Sequence, residues 1–87
     1  MKVVFYGVLR SLAGTREIES NSETLGELLD ELSQKFGEKM AKLLRDEDTA
    51  EGLTVVYNER VLPRSERGRI RFAKDDVVKL LSPIGGG

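Results

Sequence analysis

The last six residues have the composition of a substrate and not of a catalyst: Ser82, Pro83, Ile84, Gly85, Gly86 and Gly87. Because glycine has no Cβ, a run of three before a carboxyl group can enter a slot that is too narrow for side chains. Pro83 fixes its own φ and biases Ser82 toward an extended backbone, so the tail is expected to leave the preceding element straight. Six extended residues at about 3.3 Å each span roughly 20 Å. The tail therefore predicts a carboxyl group presented to an active site on another protein.

A passive linker is the alternative interpretation of this tail, since short glycine runs at chain termini are commonly disordered. The rest of the composition bears on the choice, because the chain has no cysteine and no histidine. It therefore lacks a thiol nucleophile, a thiolate metal ligand, a disulfide and the commonest general base. These absences argue against self-contained catalysis.

Length and charge restrict the remaining possibilities. A chain of 87 residues makes one domain with a single modest core, and a monomer is expected. The formal net charge is −1 and the two signs are interspersed, so nucleic acid is not an expected partner. No apolar run approaches the roughly 20 residues of a membrane span, and residues 3–8 are too short a run for a signal peptide. A soluble, cytoplasmic protein without a membrane partner is expected.

Two charged stretches are candidate binding sites. Five arginines within residues 60–71 could bind phosphate or an acidic partner: Arg60, Arg64, Arg67, Arg69 and Arg71. Glu59 and Glu66 dilute this charge and no aromatic residue interleaves it, which disfavours a nucleic-acid surface. The acidic residues of the loop 45–48 lack the spacing of a calcium-binding loop, so a solvated connection is favoured and no metal site is predicted.

The strands come from both ends of the chain. Residues 2–8 are rich in β-branched and aromatic side chains and predict a strand, which a connection over residues 9–14 joins to an antiparallel strand over residues 15–19. A second hairpin is predicted from residues 53–62, with Asn58 and Glu59 at its turn. A turn at residues 74–76 and a final strand at residues 77–81 follow.

The helices lie between these strands. Thr24 and Glu27 form a capping-box signature that predicts the start of the main helix. Gly37 is expected as its left-handed C′ residue, and residues 40–44 predict a further short helical segment. The apolar stripe of the main helix is expected to face the core: Leu25, Leu28, Leu29, Leu32 and Phe36.

One helix and one sheet can bury each other's apolar faces, which predicts a two-layer α+β domain. The expected architecture is the β-grasp, or ubiquitin-like, fold: a mixed sheet of four to five strands, packed on one main helix, with a second short helical segment. Its first and last strands are expected to pair in parallel at the centre. Residues 1–81 would form the domain and residues 82–87 an extended, flexible tail.

Strand alternation sorts the side chains of the two central strands between the faces of the sheet. The residues expected to face the helix are Val3, Phe5, Val78 and Leu80. Those expected on the open face are Val4, Tyr6, Lys79 and Leu81. Because Tyr6 and Leu81 lie near the start of the tail, they predict a docking patch, although shielding of the sheet explains them equally well.

Several short motifs occur in a distinctive order. They are residues 2–6, then Arg10, Leu12 and Gly14, then Thr24 and Leu25, then Asn58, and finally the Asp-x-Val…Pro…Gly-Gly pattern of residues 76–87. Together they resemble the MoaD/ThiS family of ubiquitin-like sulfur carriers, and more closely the small subunits of molybdopterin synthase. Three positions depart from that pattern, Asp75, Ser82 and Gly85, and the arginine-rich stretch is more basic than is usual.

The resemblance implies a carrier and not an enzyme. An E1-like adenylating enzyme would use ATP and magnesium to activate the carboxylate of Gly87, and a sulfur donor protein would convert it to a thiocarboxylate. The carrier would bind no cofactor itself. Gly85, Gly86, Pro83 and Ile84 would thread into the partner, with Tyr6, Arg10 and Leu81 at the docking surface. The large subunit of molybdopterin synthase would then receive the sulfur.

Two alternatives begin with the same activated carboxylate. The chain could be a protein modifier joined to lysines, or a sulfur carrier for thiamine or tRNA thiolation. A third alternative is a plain interaction module that uses its arginines or open sheet face and does not need the tail.

Overall fold

The computed structural model of the chain describes residues 1–44 and 53–82. Its elements in chain order are β1 (Lys2–Phe5), α1 (Gly7–Ala13), β2 (Glu17–Glu19), α2 (Leu25–Phe36), α3 (Glu38–Leu44), β3 (Thr54–Tyr57), β4 (Arg60–Val61), α4 (Arg64–Arg67) and β5 (Val77–Leu81). The strand order across the sheet is β2-β1-β5-β3-β4. β1 and β5 pair in parallel at the centre, and the other neighbours pair antiparallel. The α+β class, the mixed sheet and its central parallel pair are as predicted.

The predicted faces of the two central strands are confirmed. Val3, Phe5, Val78 and Leu80 are fully buried, whereas Val4, Lys79 and Leu81 are half-buried and Tyr6 is exposed. The buried face packs against residues of α1, α2 and α3: Leu9, Leu25, Leu28, Leu32, Met40 and Leu44. The rings of Phe5 and Phe36 meet edge to face, with centroids 5.8 Å apart. The sheet and the helices therefore enclose one core.

The prediction of a strand to residue 8 and a connection over residues 9–14 is wrong, because β1 ends at Phe5 and α1 follows. Gly7 has a φ of +58°, which turns the chain out of the sheet at little steric cost. Leu9 is then fully buried, and the helix ends at Gly14, whose φ of +72° gives a left-handed cap and whose N–H donates to the Arg10 carbonyl. The single-turn helix α4 was also not predicted, since one turn carries no periodicity.

The main helix α2 begins where the capping box predicts. The Glu27 N–H donates to Thr24 Oγ1 at 3.2 Å, and the Glu27 carboxylate accepts from the Glu23 N–H at 3.2 Å. The prediction that Gly37 is a left-handed C′ residue is confirmed only in that its φ is positive. Its φ of +92° is combined with a ψ of −172°, outside the left-handed helical region, and its carbonyl accepts from the Ala41 N–H, so α3 follows directly.

Removing the α2 cap is expected to cost about 1 kcal/mol in the free energy of unfolding. Thr24→Ala deletes the oxygen that accepts from the Glu27 N–H, while Thr24→Ser keeps it and should unfold within a few tenths of a kcal/mol of the wild type. Urea denaturation followed by circular dichroism measures both variants. Equal midpoints for the alanine and serine variants would show that the cap contributes nothing.

Candidate functional site

The candidate site is the end of the sheet at which β5 leads into the tail. β5 is the middle strand, paired with β1 on one side and with β3 on the other. Leu80 lies opposite Phe5, and Leu81 lies opposite Thr54. The last residue before Ser82 is therefore held by the sheet on its β3 side. The predicted tail residues Pro83, Ile84, Gly85, Gly86 and Gly87 lie outside the described residues, and their roles stay predictions.

The opposite end of β5 is anchored by the carboxylate of Asp76. Its Oδ2 accepts hydrogen bonds from the Tyr57 hydroxyl and the Ala73 N–H, both at 2.7 Å. Its Oδ1 accepts from the Asn58 side-chain amide at 2.9 Å. Asn58 Oδ1 in turn accepts from the Val77 N–H at 2.8 Å. This set of contacts, the Asp76 network, joins the β3–β4 turn to the start of β5.

The Asp76 network shifts the pKa values of both of its acidic groups. Burial tends to raise the pKa of Asp76, but the hydrogen bonds that its carboxylate accepts from Ala73, Asn58 and Tyr57 outweigh this and lower it. The hydrogen bond to Asp76 raises the pKa of Tyr57, and burial and the charge of Asp76 act in the same direction. Asp76 is therefore an anion at neutral pH and accepts from all three neighbours.

Sequence patterns identified Asn58 and Asp76 separately, as turn and motif residues, but did not predict their contact. The turn itself is confirmed, because Asn58 and Glu59 have φ values of +48° and +73°, as a two-residue type I′ hairpin turn requires. Nothing local in the sequence indicates that a side chain from this turn binds one that lies 18 residues later.

The open face of the sheet carries apolar side chains beside the end of β5. Tyr6 is 41% exposed, and its N–H donates to the Leu80 carbonyl at 3.2 Å, which places Tyr6 next to Leu81. Val56 lies opposite Lys79 and Val61, and Val61 is 61% exposed, so apolar side chains also occur on this face at the far edge of the sheet. This extension was not predicted, although the register of the β3–β4 hairpin implies it. The docking role of the face is still a prediction.

Arg10 lies at the same end of the domain as Tyr6 and Leu81. It projects from α1, which begins one residue after Tyr6, and it lines a surface pocket together with Arg16. The Arg16 carbonyl accepts from the Phe5 N–H at 2.9 Å, so this pocket is also next to the end of β1. The structure thus brings all three predicted docking residues to the end of the sheet that carries the tail.

The arginine-rich stretch is partly engaged within the domain. Arg60 lies 3.8 Å from the Glu66 carboxylate and Arg71 lies 3.4 Å from that of Glu23. Arg67 donates to the Leu53 carbonyl. These arginines therefore have structural contacts, which weakens the interpretation of residues 60–71 as one continuous ligand surface.

Residues 1–44 and 53–82 were also compared with the geometry of metal clusters and of membrane-spanning helices. Within these ranges no cluster of three or more histidine, cysteine, aspartate or glutamate side chains could hold a metal ion. The acidic loop considered in the sequence, residues 45–48, lies outside the described residues. None of the helices seen in the same ranges is long and apolar enough to cross a membrane.

Comparison with protein families gives one match over nearly the whole chain. The model of the ThiS family matches residues 3–87, which includes the tail. A comparison with curated proteins found no match.

Solved structures match with similar coverage. Small archaeal modifier protein 1 (SAMP1) from Methanosarcina acetivorans has 23% identity and a TM-score of 0.73, over 99% of this chain and 94% of its own. A chain of the BexX/CysO complex from Amycolatopsis orientalis has 22% identity and a TM-score of 0.73, over 99% of this chain and 98% of its own. A Pyrococcus furiosus protein assigned as molybdopterin converting factor subunit 1 has 24% identity and a TM-score of 0.67, over 95% of each chain. At these identities the matches show a shared ubiquitin-like β-grasp fold.

Proposed function

The chain belongs to the ThiS family of ubiquitin-like sulfur carriers, and we propose that it carries sulfur on the carboxyl group of Gly87. Members of this family are small carrier proteins and not enzymes. The observation that supports the proposal most is that the family match runs through residue 87. The central strand β5 leads into this tail, so the sheet acts as the handle by which a partner positions the carboxyl group.

Activation of the carboxylate has to come from a partner enzyme. A carboxylate is a poor electrophile because its oxygen does not leave, whereas the mixed anhydride with AMP has a stabilised leaving group. In the proposed reaction the Gly87 carboxylate attacks the α-phosphorus of ATP and pyrophosphate leaves. Hydrosulfide delivered by the donor protein then attacks the Gly87 carbonyl, a C–S bond replaces the C–O bond to AMP, and AMP leaves with the thiocarboxylate as the product. Magnesium and ATP belong to the adenylating enzyme, and Gly85 and Gly86 let that enzyme's backbone approach closely.

We assign the sulfur to molybdopterin synthesis, with this chain as the small subunit of the synthase. The similarity to the Pyrococcus furiosus protein supports this destination, as do the motifs in the sequence. The large synthase subunit would bind the open sheet face at Tyr6 and Leu81 and take up the tail. Co-purification of a large subunit with the tagged chain from native cells would support the assignment. Recovery of a thiamine or tRNA thiolation enzyme in its place would overturn it.

The activation step has a specific test. The purified adenylating enzyme of the same organism should catalyse exchange of labelled pyrophosphate into ATP only when this chain is present. The exchange should saturate with the concentration of the chain. If an adenylating enzyme that is active on another carrier shows no exchange with this chain, the proposed function is wrong.

A protein modifier is the second candidate, and the similarity to SAMP1, a modifier protein by name, favours it. The same adenylate would then end as an isopeptide bond between Gly87 and a lysine of another protein. Tryptic digests of native cells should in that case contain lysines that carry residues 80–87, because Lys79 is the last trypsin site before Gly87, and these peptides should disappear when the gene for this chain is deleted. Their absence under inducing conditions would leave sulfur transfer as the only outcome of activation.

A further inference from the structure

A pocket with two arginines lies at the tail end of the domain, outside the apolar sheet face. It has a volume of about 520 Å³ and opens to solvent. We call it the Arg10–Arg16 pocket. Its lining residues are Gly7, Arg10, Ser11, Gly14, Thr15 and Arg16.

The pocket follows from the spacing of these residues along α1. Residues 10, 11 and 14 lie three, four and seven positions after residue 7. At this helical spacing all four share one face, which is opposite the buried Leu9. The chain then turns at Gly14, which brings Arg16 back beside them. Gly7 and Gly14 add no side chains, and a Cβ built on either would meet no atom within 4 Å. The pocket is therefore open at both glycines.

The chemistry of this lining suits an anion. Arginine offers five N–H donors and no acceptor, and its planar group matches the two oxygens of a carboxylate. No acidic residue lines the pocket. The adjacent carboxylate of Glu17 lies 3.4 Å from Lys2 Nζ.

The two guanidinium groups also differ from those of the arginine-rich stretch. Throughout residues 1–44 and 53–82, no carboxylate or side-chain hydrogen bond holds Arg10 or Arg16, whereas Arg60 and Arg71 lie beside Glu66 and Glu23. An anion that enters the pocket would therefore meet two arginines that no carboxylate of the described residues neutralises, and it would be attracted to both.

The position of the pocket indicates where the oxyanion comes from. Arg16 is hydrogen bonded through its backbone to β1, and Leu81 ends the neighbouring strand β5. With strands about 4.8 Å apart, the Arg16 backbone lies roughly 10 Å across the sheet from Leu81. An enzyme that encloses the tail must cover this end of the domain. The pocket would then face a protein surface, where the available oxyanions are aspartate and glutamate side chains.

We propose that the Arg10–Arg16 pocket binds an aspartate or glutamate side chain of the adenylating enzyme, which orients the domain so that the tail enters the active site. This inference rests on the proposed function. Arginine–carboxylate pairs that become desolvated at an interface are strong and directional, so the pocket would contribute to affinity and to the choice of partner.

The kinetic test uses the full-length chain as the substrate of its adenylating enzyme in pyrophosphate exchange. Arg10→Glu combined with Arg16→Glu should raise the KM for the chain about tenfold or more, with kcat within about twofold. The matched control, Arg69→Glu with Lys74→Glu, has the same change in charge at exposed positions away from the pocket and should leave KM within about twofold. An equal rise for both variants would mean general electrostatic attraction and overturn the proposal. An unchanged KM for the pocket variant would also overturn it, while the exchange itself would still support the proposed function.

A second measurement does not depend on activation. Addition of a tetraglutamate peptide to the isotope-labelled chain should shift the amide resonances of residues 7–16, and Arg10→Gln with Arg16→Gln should abolish these shifts. The glutamine variant also removes the two positive charges without reversing them, so it serves if the charge-reversed variant fails to fold. Sodium phosphate at the same ionic strength is the comparison. If phosphate shifts these resonances more than the peptide does, or if the peptide shifts none of them, the carboxylate assignment is wrong.

Discussion

Deletion of Gly87 is expected to reduce pyrophosphate exchange about a hundredfold or more, because the new terminal carboxyl group lies one residue short of the reacting phosphorus. A residue spans about 3.3 Å, and a misplacement of about 1 Å in a reacting atom can already cost a hundredfold in rate. Replacing the terminal carboxylate by a glycinamide is expected to abolish exchange, since an amide cannot form the mixed anhydride. Both chains keep residues 1–82 intact and should unfold like the wild type.

The glycinamide chain also provides the control for docking. It retains the open sheet face and the Arg10–Arg16 pocket, so it should still bind the enzyme and inhibit exchange competitively with the unmodified chain. Full exchange activity of the glycinamide chain would contradict the account, because some other group would then be the reacting one. Loss of both exchange and inhibition would mean that the tail carboxylate is needed for binding as well as for chemistry.

Asp76→Ala is expected to lower the free energy of unfolding by about 3 kcal/mol. A hydrogen bond to a charged group contributes about 1.5 to 3 kcal/mol, and the variant removes three of them at once from the start of β5, with effects that do not add fully. Tyr57→Phe is the matched control, because it removes one donor and keeps the aromatic ring, whose centroid lies 5.9 Å from that of the Phe72 ring. Tyr57→Phe should lower the free energy of unfolding by about 1 kcal/mol. Urea unfolding that ranked the two variants in the opposite order would show that Asp76 does not hold the strand.

The same carboxylate predicts a pH dependence of stability. Because the pKa of Asp76 is lower in the folded chain than in the unfolded chain, the unfolded chain takes up the proton first as the pH falls. The contribution of Asp76 is therefore complete above its unfolded pKa, near 4, and is lost as the pH falls through the lower folded value. The difference in unfolding free energy between the wild type and Asp76→Asn should shrink between pH 6 and pH 2. A difference that stays constant over this range would refute the role of the charge.

The elements that local patterns specify were predictable from the sequence. The cap formed by Thr24 and Glu27, the apolar stripe of α2 and the alternation in β1 and β5 each depend on neighbours within a few residues, and each is confirmed. The same alternation correctly assigned the open face. These patterns were sufficient for the β-grasp architecture because one helix and one sheet have few ways to bury each other.

The failures come from positions where local patterns compete or where distant residues meet. Residues 2–8 are strand formers by composition, but the positive φ of Gly7 ends the strand, and burial of Leu9 then favours a helix. The sequence indicates Arg10 only through the family resemblance and gives no signal for Arg16, because the turn at Gly14 that brings both to one pocket has no distinctive local pattern. The contact between Asn58 and Asp76 depends on strand register, which no short motif reveals.

The central claim is that the carboxyl group of Gly87 is the reactive centre and that the domain serves as its handle. Its most direct test is the intact mass of the chain after incubation with the adenylating enzyme, ATP, magnesium and a sulfur source. The account predicts a mass increase that corresponds to the exchange of one oxygen for sulfur, assigned to Gly87 by fragmentation. An unchanged mass, with an enzyme and sulfur source that convert another carrier in parallel, would contradict it.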